Sequence, residues 1–291
     1  MAVSDRAPAQ ALRTSGIPLV LVAITSLQFG AAIAGTIFDE IGAAGTSLLR
    51  SLFAAAILLA VWRPSLRGHS PRDLRLVALF GLVLGAMNLC IYESFSRIPL
   101  GVAVTIEFAG PLGIAVALSR RRLDLAAAGL AAVGIVLLAD PGGGAVDALG
   151  VVLALVAAGC WAVYILVAQA ASRVWSGGRG VAVAMAVAVL VPLVPGIASA
   201  GSDLLDPRWL AIGCAVALMS SVVPYSLETE ALRRLPANVF GVLMSIEPAV
   251  AAIAGWIILD QSLRARDILA IALVTAASVV VVRAAPPPAE A

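Results

Sequence analysis

The chain has 291 residues, of which 62% are hydrophobic and 12% charged, with a formal net charge of +2 and a mean hydropathy of +1.05. Soluble globular domains hold roughly 45–50% apolar and about 25% charged residues, so an ordinary water-soluble fold is excluded. A basic surplus of two is too small for a nucleic-acid footprint, and no nucleic-acid partner is expected. All 19 basic residues are arginine, which reads as codon usage. Cys90, Cys160 and Cys214 are isolated in apolar segments and read as small packing residues. His69 is the only histidine. A catalytic triad or zinc site would rest on it alone, so neither enzyme chemistry nor a metal or other cofactor is expected.

The predicted elements are all helical. An apolar run begins at Ile17, behind Arg6 and Arg13. Ala32-Ile33-Ala34 imitates a signal-peptidase site, but the apolar character continues to Phe38, so the segment reads as a retained helix. A membrane-spanning helix needs about 20 mainly apolar residues. Charge, proline and glycine punctuate ten such segments: 17–38, 45–62, 74–94, 100–119, 125–140, 149–169, 180–198, 209–229, 238–258 and 267–283. The resulting protein is polytopic, with the bilayer as its solvent.

Arginine placement predicts the orientation. With the N-terminus cytoplasmic, fourteen arginines fall in inside loops and tails: Arg6, Arg13, Arg63, Arg67, Arg72, Arg75, Arg120, Arg121, Arg122, Arg173, Arg179, Arg233, Arg234 and Arg283. Four fall outside: Arg97, Arg208, Arg264 and Arg266. Both termini are therefore expected in the cytoplasm. The outside loops are short and acidic, as at Asp39-Glu40 and from Asp140 to Asp147. Pro141 with Gly142 to Gly144 reads as a turn, since no strand or Lys-Ser/Thr flanks it as a phosphate loop requires.

An internal repeat is visible. Arg97-Ile98-Pro99 opens the fourth segment and Arg234-Leu235-Pro236 the ninth; Pro111 and Pro248 follow twelve residues after each proline. Both proline pairs are offset by 137 residues. Five helices per half is an odd number, so the halves must be inverted in the membrane, as in secondary transporters with a midplane binding site. The expected organisation is a cytoplasmic tail at 1–16, a first five-helix repeat at 17–140, a second at 149–283 and a cytoplasmic tail at 284–291.

Four stretches carry a resemblance. The first is Met87-Asn88 with Tyr92, then Ile98 to Val104, Glu107-Phe108 and Gly110-Pro111. The others are Trp161 to Leu166, Pro224 to Glu228, and Phe240-Gly241 with Leu243-Met244-Ser245 and Glu247-Pro248-Ala249. Together they resemble EamA-type carriers of the drug/metabolite transporter superfamily, in particular the inner-membrane branch that exports threonine and homoserine. The resemblance implies ten helices around a central cavity and efflux of hydrophilic amino acids, in exchange for protons. Carriers of other metabolites or drugs in the same superfamily are the alternative. Asp260-Gln261 departs from the Gly-Glu common in the family.

Ionisable groups inside a membrane are costly, about 2.5–3.5 kcal/mol at a helix centre, and tend to be functional. Glu247 lies deepest, beside Pro248, where a loosened turn and freed carbonyls suit a proton or a substrate ammonium. It is the candidate proton-coupling residue. The bland alternative is a structural carboxylate paired with Arg50. Glu107 is a candidate substrate ligand, or a tie to the second helix through Arg50. Glu93 and Glu228 lie near helix ends, where they can reach water. Neutral candidates for substrate binding are Gln28, Asn88, Tyr92, Tyr164 and Tyr225, with Trp161 as a wall. Asn88 and Tyr92, four apart, share a helix face, as do Trp161 and Tyr164, three apart. Trp62, Trp175 and Trp209 suit an interfacial aromatic belt. Gly81 and Gly85 form a GxxxG pair for close helix packing.

Overall fold

A computed structural model describes residues 6–117, 122–139 and 147–284. The described residues contain helices and turns and no strand. The helices are α1 (Arg6–Gly35), α2 (Phe38–Trp62), α3 (Pro71–Phe95), α4 (Leu100–Glu107), α5 (Ala109–Ala117), α6 (Arg122–Ala139), α7 (Ala148–Ser172), α8 (Arg179–Ala188), α9 (Leu190–Ala200), α10 (Pro207–Ala217), α11 (Val223–Arg234), α12 (Ala237–Met244), α13 (Glu247–Leu259) and α14 (Ala265–Ala284). A 3₁₀ turn, Gly201–Leu205, follows α9, and a π-helical turn, Leu218–Val222, joins α10 to α11. Eight stretches are long and apolar enough to cross a membrane, and two shorter apolar helices are Leu100–Ile114 and Leu125–Leu138. Arg120, Arg121, the 140–146 part of the outside loop and the tail beyond 284 lie outside the described residues.

Local chemistry starts the helices where it should. Ser70 and Asp73 close a reciprocal capping box around the first turn of α3, with Pro71 at its first position. Asp147 caps α7 through the Gly150 N–H at 3.0 Å, and Asp206 caps α10 ahead of Pro207. Asp39 and Glu40, expected in a loop, sit in the first turn of α2, where negative charge is favoured by the helix dipole. Gly42, at φ 73° and ψ 161°, then interrupts the helical backbone, and α2 resumes beyond this kink.

Small residues set the packing. α3 lies on α7, α8 and α9; α1 lies on α11 and α13; α2 packs on α8, α9 and α10, α4 on α13, and α6 on α14. A Cβ on Gly81 would meet the Ala184 carbonyl oxygen, with Val187 Cβ at 2.6 Å, and one on Gly85 would meet the Ala188 carbonyl oxygen at 2.5 Å. The GxxxG pair thus brings α3 against α8 backbone to backbone. Ala32 and Ala34 of the signal-like triplet are fully buried inside α1.

Two of the three belt tryptophans depart from the expectation, while Trp62 is 37% exposed. Trp175 is 2% exposed and stacks on His69, with ring centroids 3.7 Å apart, and Trp209 is 8% exposed beneath the Arg208 guanidinium. Both rings pack inside the protein, where stacking partners replace the lipid headgroups.

The two Arg-x-Pro segments have matching backbones. Pro99 has φ −55° and ψ 141°, and Pro236 has φ −58° and ψ 142°. Each precedes a helix of eight residues, α4 and α12. Those helices end at Phe108 (φ −61°, ψ −13°) and Ser245 (φ −63°, ψ −13°), which are 137 residues apart. Pro111 and Pro248 lack the N–H that would bond the carbonyls of Glu107 and Met244, so the backbone ladder misses a rung in both places.

Candidate functional site

The helices surround an internal cavity of about 140 Å³ lined by α1, α2, α3, α4, α7, α11, α12, α13 and the π-helical turn. An engineered cavity of about 150 Å³ holds one benzene, so this one suits a single small solute. Arg50 on its wall is the thirteenth of the 25 residues in the Phe38–Trp62 span. The cavity therefore lies half way along that span.

All eight side chains singled out in the sequence line this one cavity: Gln28, Asn88, Tyr92, Glu107, Trp161, Tyr164, Tyr225 and Glu247. They come from six helices, joined by packing rather than by sequence proximity. Gln28, Asn88, Glu107 and Glu247 are each no more than 9% exposed. Trp161 meets Phe108 edge to face at 5.1 Å, and Tyr164 leans on Phe80 at 5.3 Å. Such aromatic pairs fix ring orientation and so give the cavity a defined wall.

Glu247 opens α13, with Pro248 next to it. Gln28 Nε2 donates to Glu247 Oε1 at 2.8 Å, bridging α1 and α13. The second oxygen, Glu247 Oε2, and Gln28 Oε1 are buried without a hydrogen-bond partner, as is the Tyr92 hydroxyl. Buried polar atoms are normally satisfied, so these three mark a place where a solute or water belongs.

The reading of Arg50 as an ion-pair partner of Glu247 or Glu107 is corrected. Arg50 is 5% exposed, and its three hydrogen bonds all go to neutral acceptors. Nη1 donates to Asn88 Oδ1, Nε to Ser221 Oγ and Nη2 to the Ser220 carbonyl, each at 3.0 Å. Its guanidinium also lies over the Tyr92 ring, 5.2 Å from the centroid. The π-helical turn explains the acceptors. Pro224 has no N–H to offer the Ser220 carbonyl four residues earlier, so that oxygen is left for Arg50. Val223 N–H bonds the Leu218 carbonyl, which frees Met219 O to accept from Ser26 Oγ at 2.8 Å. One register change thus anchors both α1 and Arg50, in keeping with the tendency of π-bulges to sit at functional sites.

Sequence reasoning missed two cavity residues of this kind. Glu228 was placed near a helix end with access to water, yet it lines the cavity. Ser220 was not singled out. The signal available was the Ser220-Ser221 pair ahead of Pro224, a proline inside a span that must free a carbonyl. Glu93 lies away from the site, 3.7 Å from Arg97, which also reaches Asp147 at 4.0 Å. Gln261, part of the departure from the family pattern, accepts from the Leu100 N–H at 2.9 Å and so caps α4 from across the bundle. Among the described residues, no group of three His, Cys, Asp or Glu side chains is placed to hold a metal ion.

Comparison with known proteins places this architecture. Residues 148–283 match the model of the EamA-like transporter family. The threonine/homoserine exporter RhtA of Salmonella typhimurium LT2 is 42% identical over 265 residues, which cover 90% of this chain and 89% of the relative. The threonine/homoserine exporter RhtA of Escherichia coli K12 is 41% identical over the same coverage. One solved crystal structure of 19% identity superposes with a TM-score of 0.63 over 92% of this chain and 96% of its own, a likeness of fold.

Proposed function

We propose, from the premise that this chain belongs to the EamA-like transporter family and is a multi-pass membrane protein, that it exports small hydrophilic amino acids of the threonine and homoserine kind across the inner membrane in exchange for protons. The observation that carries the reading is the cavity. It is lined by Arg50 at the middle of the Phe38–Trp62 span, fits one small solute, and gathers a buried guanidinium, three carboxyl groups and two amides on apolar helices. A membrane protein has no folding reason to bury so many polar groups together. An amino acid presents complementary charge of both signs.

In this reading Gln28, Asn88, Tyr92, Glu107, Trp161, Tyr164 and Tyr225 bind substrate, and Glu247 takes up and releases the proton. The two shorter apolar helices complete a set of ten, arranged as inverted repeats at 17–140 and 149–283. The matched dihedrals 137 residues apart support this. The packing supports it as well. Under the repeat, the contacts of α1 with α11, α12 and α13 become those of α7 with α3, α4 and α5, and both sets are present. α2 against α8 and α9, and α6 against α14, become themselves.

Cytoplasmic termini are supported by the way loops assigned inside by arginine content meet at one end. Trp62 lies against Gly177, His69 stacks on Trp175, and Arg72, Arg75 and Arg173 line one groove. The test is to express the chain in cells challenged with excess threonine or homoserine and to measure efflux from loaded vesicles. Protection with efflux is expected. Absence of both overturns the assignment, and efflux of other metabolites only would favour the alternative cargo. For coupling, Glu247→Gln at normal membrane level should lose pH-dependent transport; undiminished pH dependence removes Glu247 from that role.

A further inference from the structure

The cavity is polar at two places of opposite character. One is Arg50. A guanidinium has five N–H donors, and three of them are taken by Asn88, Ser221 and Ser220. Two remain, on a side chain that is 5% exposed and forms part of the cavity wall. Among the described residues no carboxylate lies within 4 Å of it. A buried cation whose hydrogen bonds all go to neutral acceptors keeps donors for an anion, and a planar anion with two oxygens is what its fork is shaped to receive. Tyr92, whose ring lies under the same guanidinium, brings a hydroxyl to the same part of the wall.

The other place is the Gln28–Glu247 pair. Their mutual hydrogen bond uses one oxygen of Glu247 and the amide nitrogen of Gln28. What is left over, Glu247 Oε2 and Gln28 Oε1, consists of two buried acceptors without a donor. An ammonium group supplies donors and positive charge together.

We infer that Arg50 receives the carboxylate of the transported amino acid while Glu247 and Gln28 receive its ammonium, so that the cavity selects solutes carrying both groups. The assignment rests on the amino-acid export reading above and deepens it by naming the charge pattern of the substrate. Asn88, Ser220 and Ser221 act as positioning groups. They hold the guanidinium in one plane without neutralising it, which an acidic partner in their place would do.

The experiment uses the full-length protein in proteoliposomes loaded with labelled L-threonine. Efflux is competed with L-threonine, with L-threoninamide, which lacks the carboxylate, and with N-acetyl-L-threonine, which lacks the ammonium. A site built around buried charge rejects a solute missing the partner group, so each analogue should compete about ten- to hundred-fold less well than threonine. Equal competition by threoninamide overturns the role of Arg50, and equal competition by N-acetylthreonine overturns that of the Gln28–Glu247 pair. These measurements need no variant.

A second arm compares Arg50→Lys and Arg50→Gln at matched membrane levels. Lysine keeps the charge and loses the fork, so half-saturation should rise by about ten-fold, with the preference for threonine over threoninamide retained. Glutamine should erase that preference. Retention of the full preference in Arg50→Gln overturns the assignment. If the wild-type protein moves neither threonine nor homoserine, the export reading itself falls, and this assignment with it.

Discussion

The hydrogen bond between Gln28 and Glu247 links two helices 219 residues apart and allows a quantitative test of the cavity wall. Gln28→Leu removes the donor at nearly constant volume. Glu247 Oε2 already lacks a partner, so the substitution leaves the whole carboxyl without a donor from the protein. A hydrogen bond of this kind contributes about 1 kcal/mol to a neutral carboxyl and up to about 3 kcal/mol to an ionised one. At about 2–4 °C per kcal/mol for a chain of roughly this size, thermal unfolding in detergent should shift down by about 2–12 °C. Glu247→Gln keeps a neutral bond and should shift less. With Glu247→Leu, which removes the acceptor, the double variant should lose little beyond either single change, giving a coupling of about 1–3 kcal/mol in the double-mutant cycle. If the two changes add to within about 0.5 kcal/mol, the pair does not interact, and the seating of α1 on α13 at this point is refuted.

Gly81→Leu should sharply reduce the yield of folded protein, because its Cβ would overlap the Ala184 carbonyl oxygen and Val187; overpacking costs about 1–3 kcal/mol. Gly113→Ala, which meets nothing within 4 Å, is the matched control, and detergent-extracted monodisperse protein is the readout. Gln261→Ala should lower the unfolding temperature by the value of one helix cap, about 1 kcal/mol, since it leaves the Leu100 N–H without its acceptor. Asn88→Ala should raise the threonine concentration that half-saturates efflux, because it releases Arg50 Nη1; an unchanged concentration dependence removes Asn88 from the site.

Much of the site was legible in the sequence because membrane physics makes polar residues conspicuous. Asn88 and Tyr92, four apart on an otherwise apolar helix, have only one direction to face, and they face the cavity. Glu247 and Glu107 stood out for the same reason. The environment of Arg50 was not legible. Two of its three acceptors lie 170 and 171 residues away, in a π-helical turn where Pro224 frees the Ser220 carbonyl. Composition suggests an acidic partner for a buried arginine, and only the backbone register reveals a neutral one. Glu228 was misjudged because counting from a helix end takes no account of which way that end turns. Trp175 and Trp209 were misjudged because a belt statistic cannot see His69 or Arg208 beneath the ring.

The paired interruptions at Phe108 and Ser245 have a mechanical side. Each lies beside the cavity, next to Glu107 or Met244 on its wall. A helix resists bending through its ladder of backbone bonds, and where proline removes a rung the stiffness falls locally. Two helices of the wall are therefore most compliant at the level where a solute would sit and stiffer towards both membrane faces. Glu107 and Glu247, two of the three residues that bring carboxyl groups to the cavity, are followed within four positions by the prolines that soften its frame. Whatever force a bound solute exerts on that frame is felt first at a pair of natural elbows.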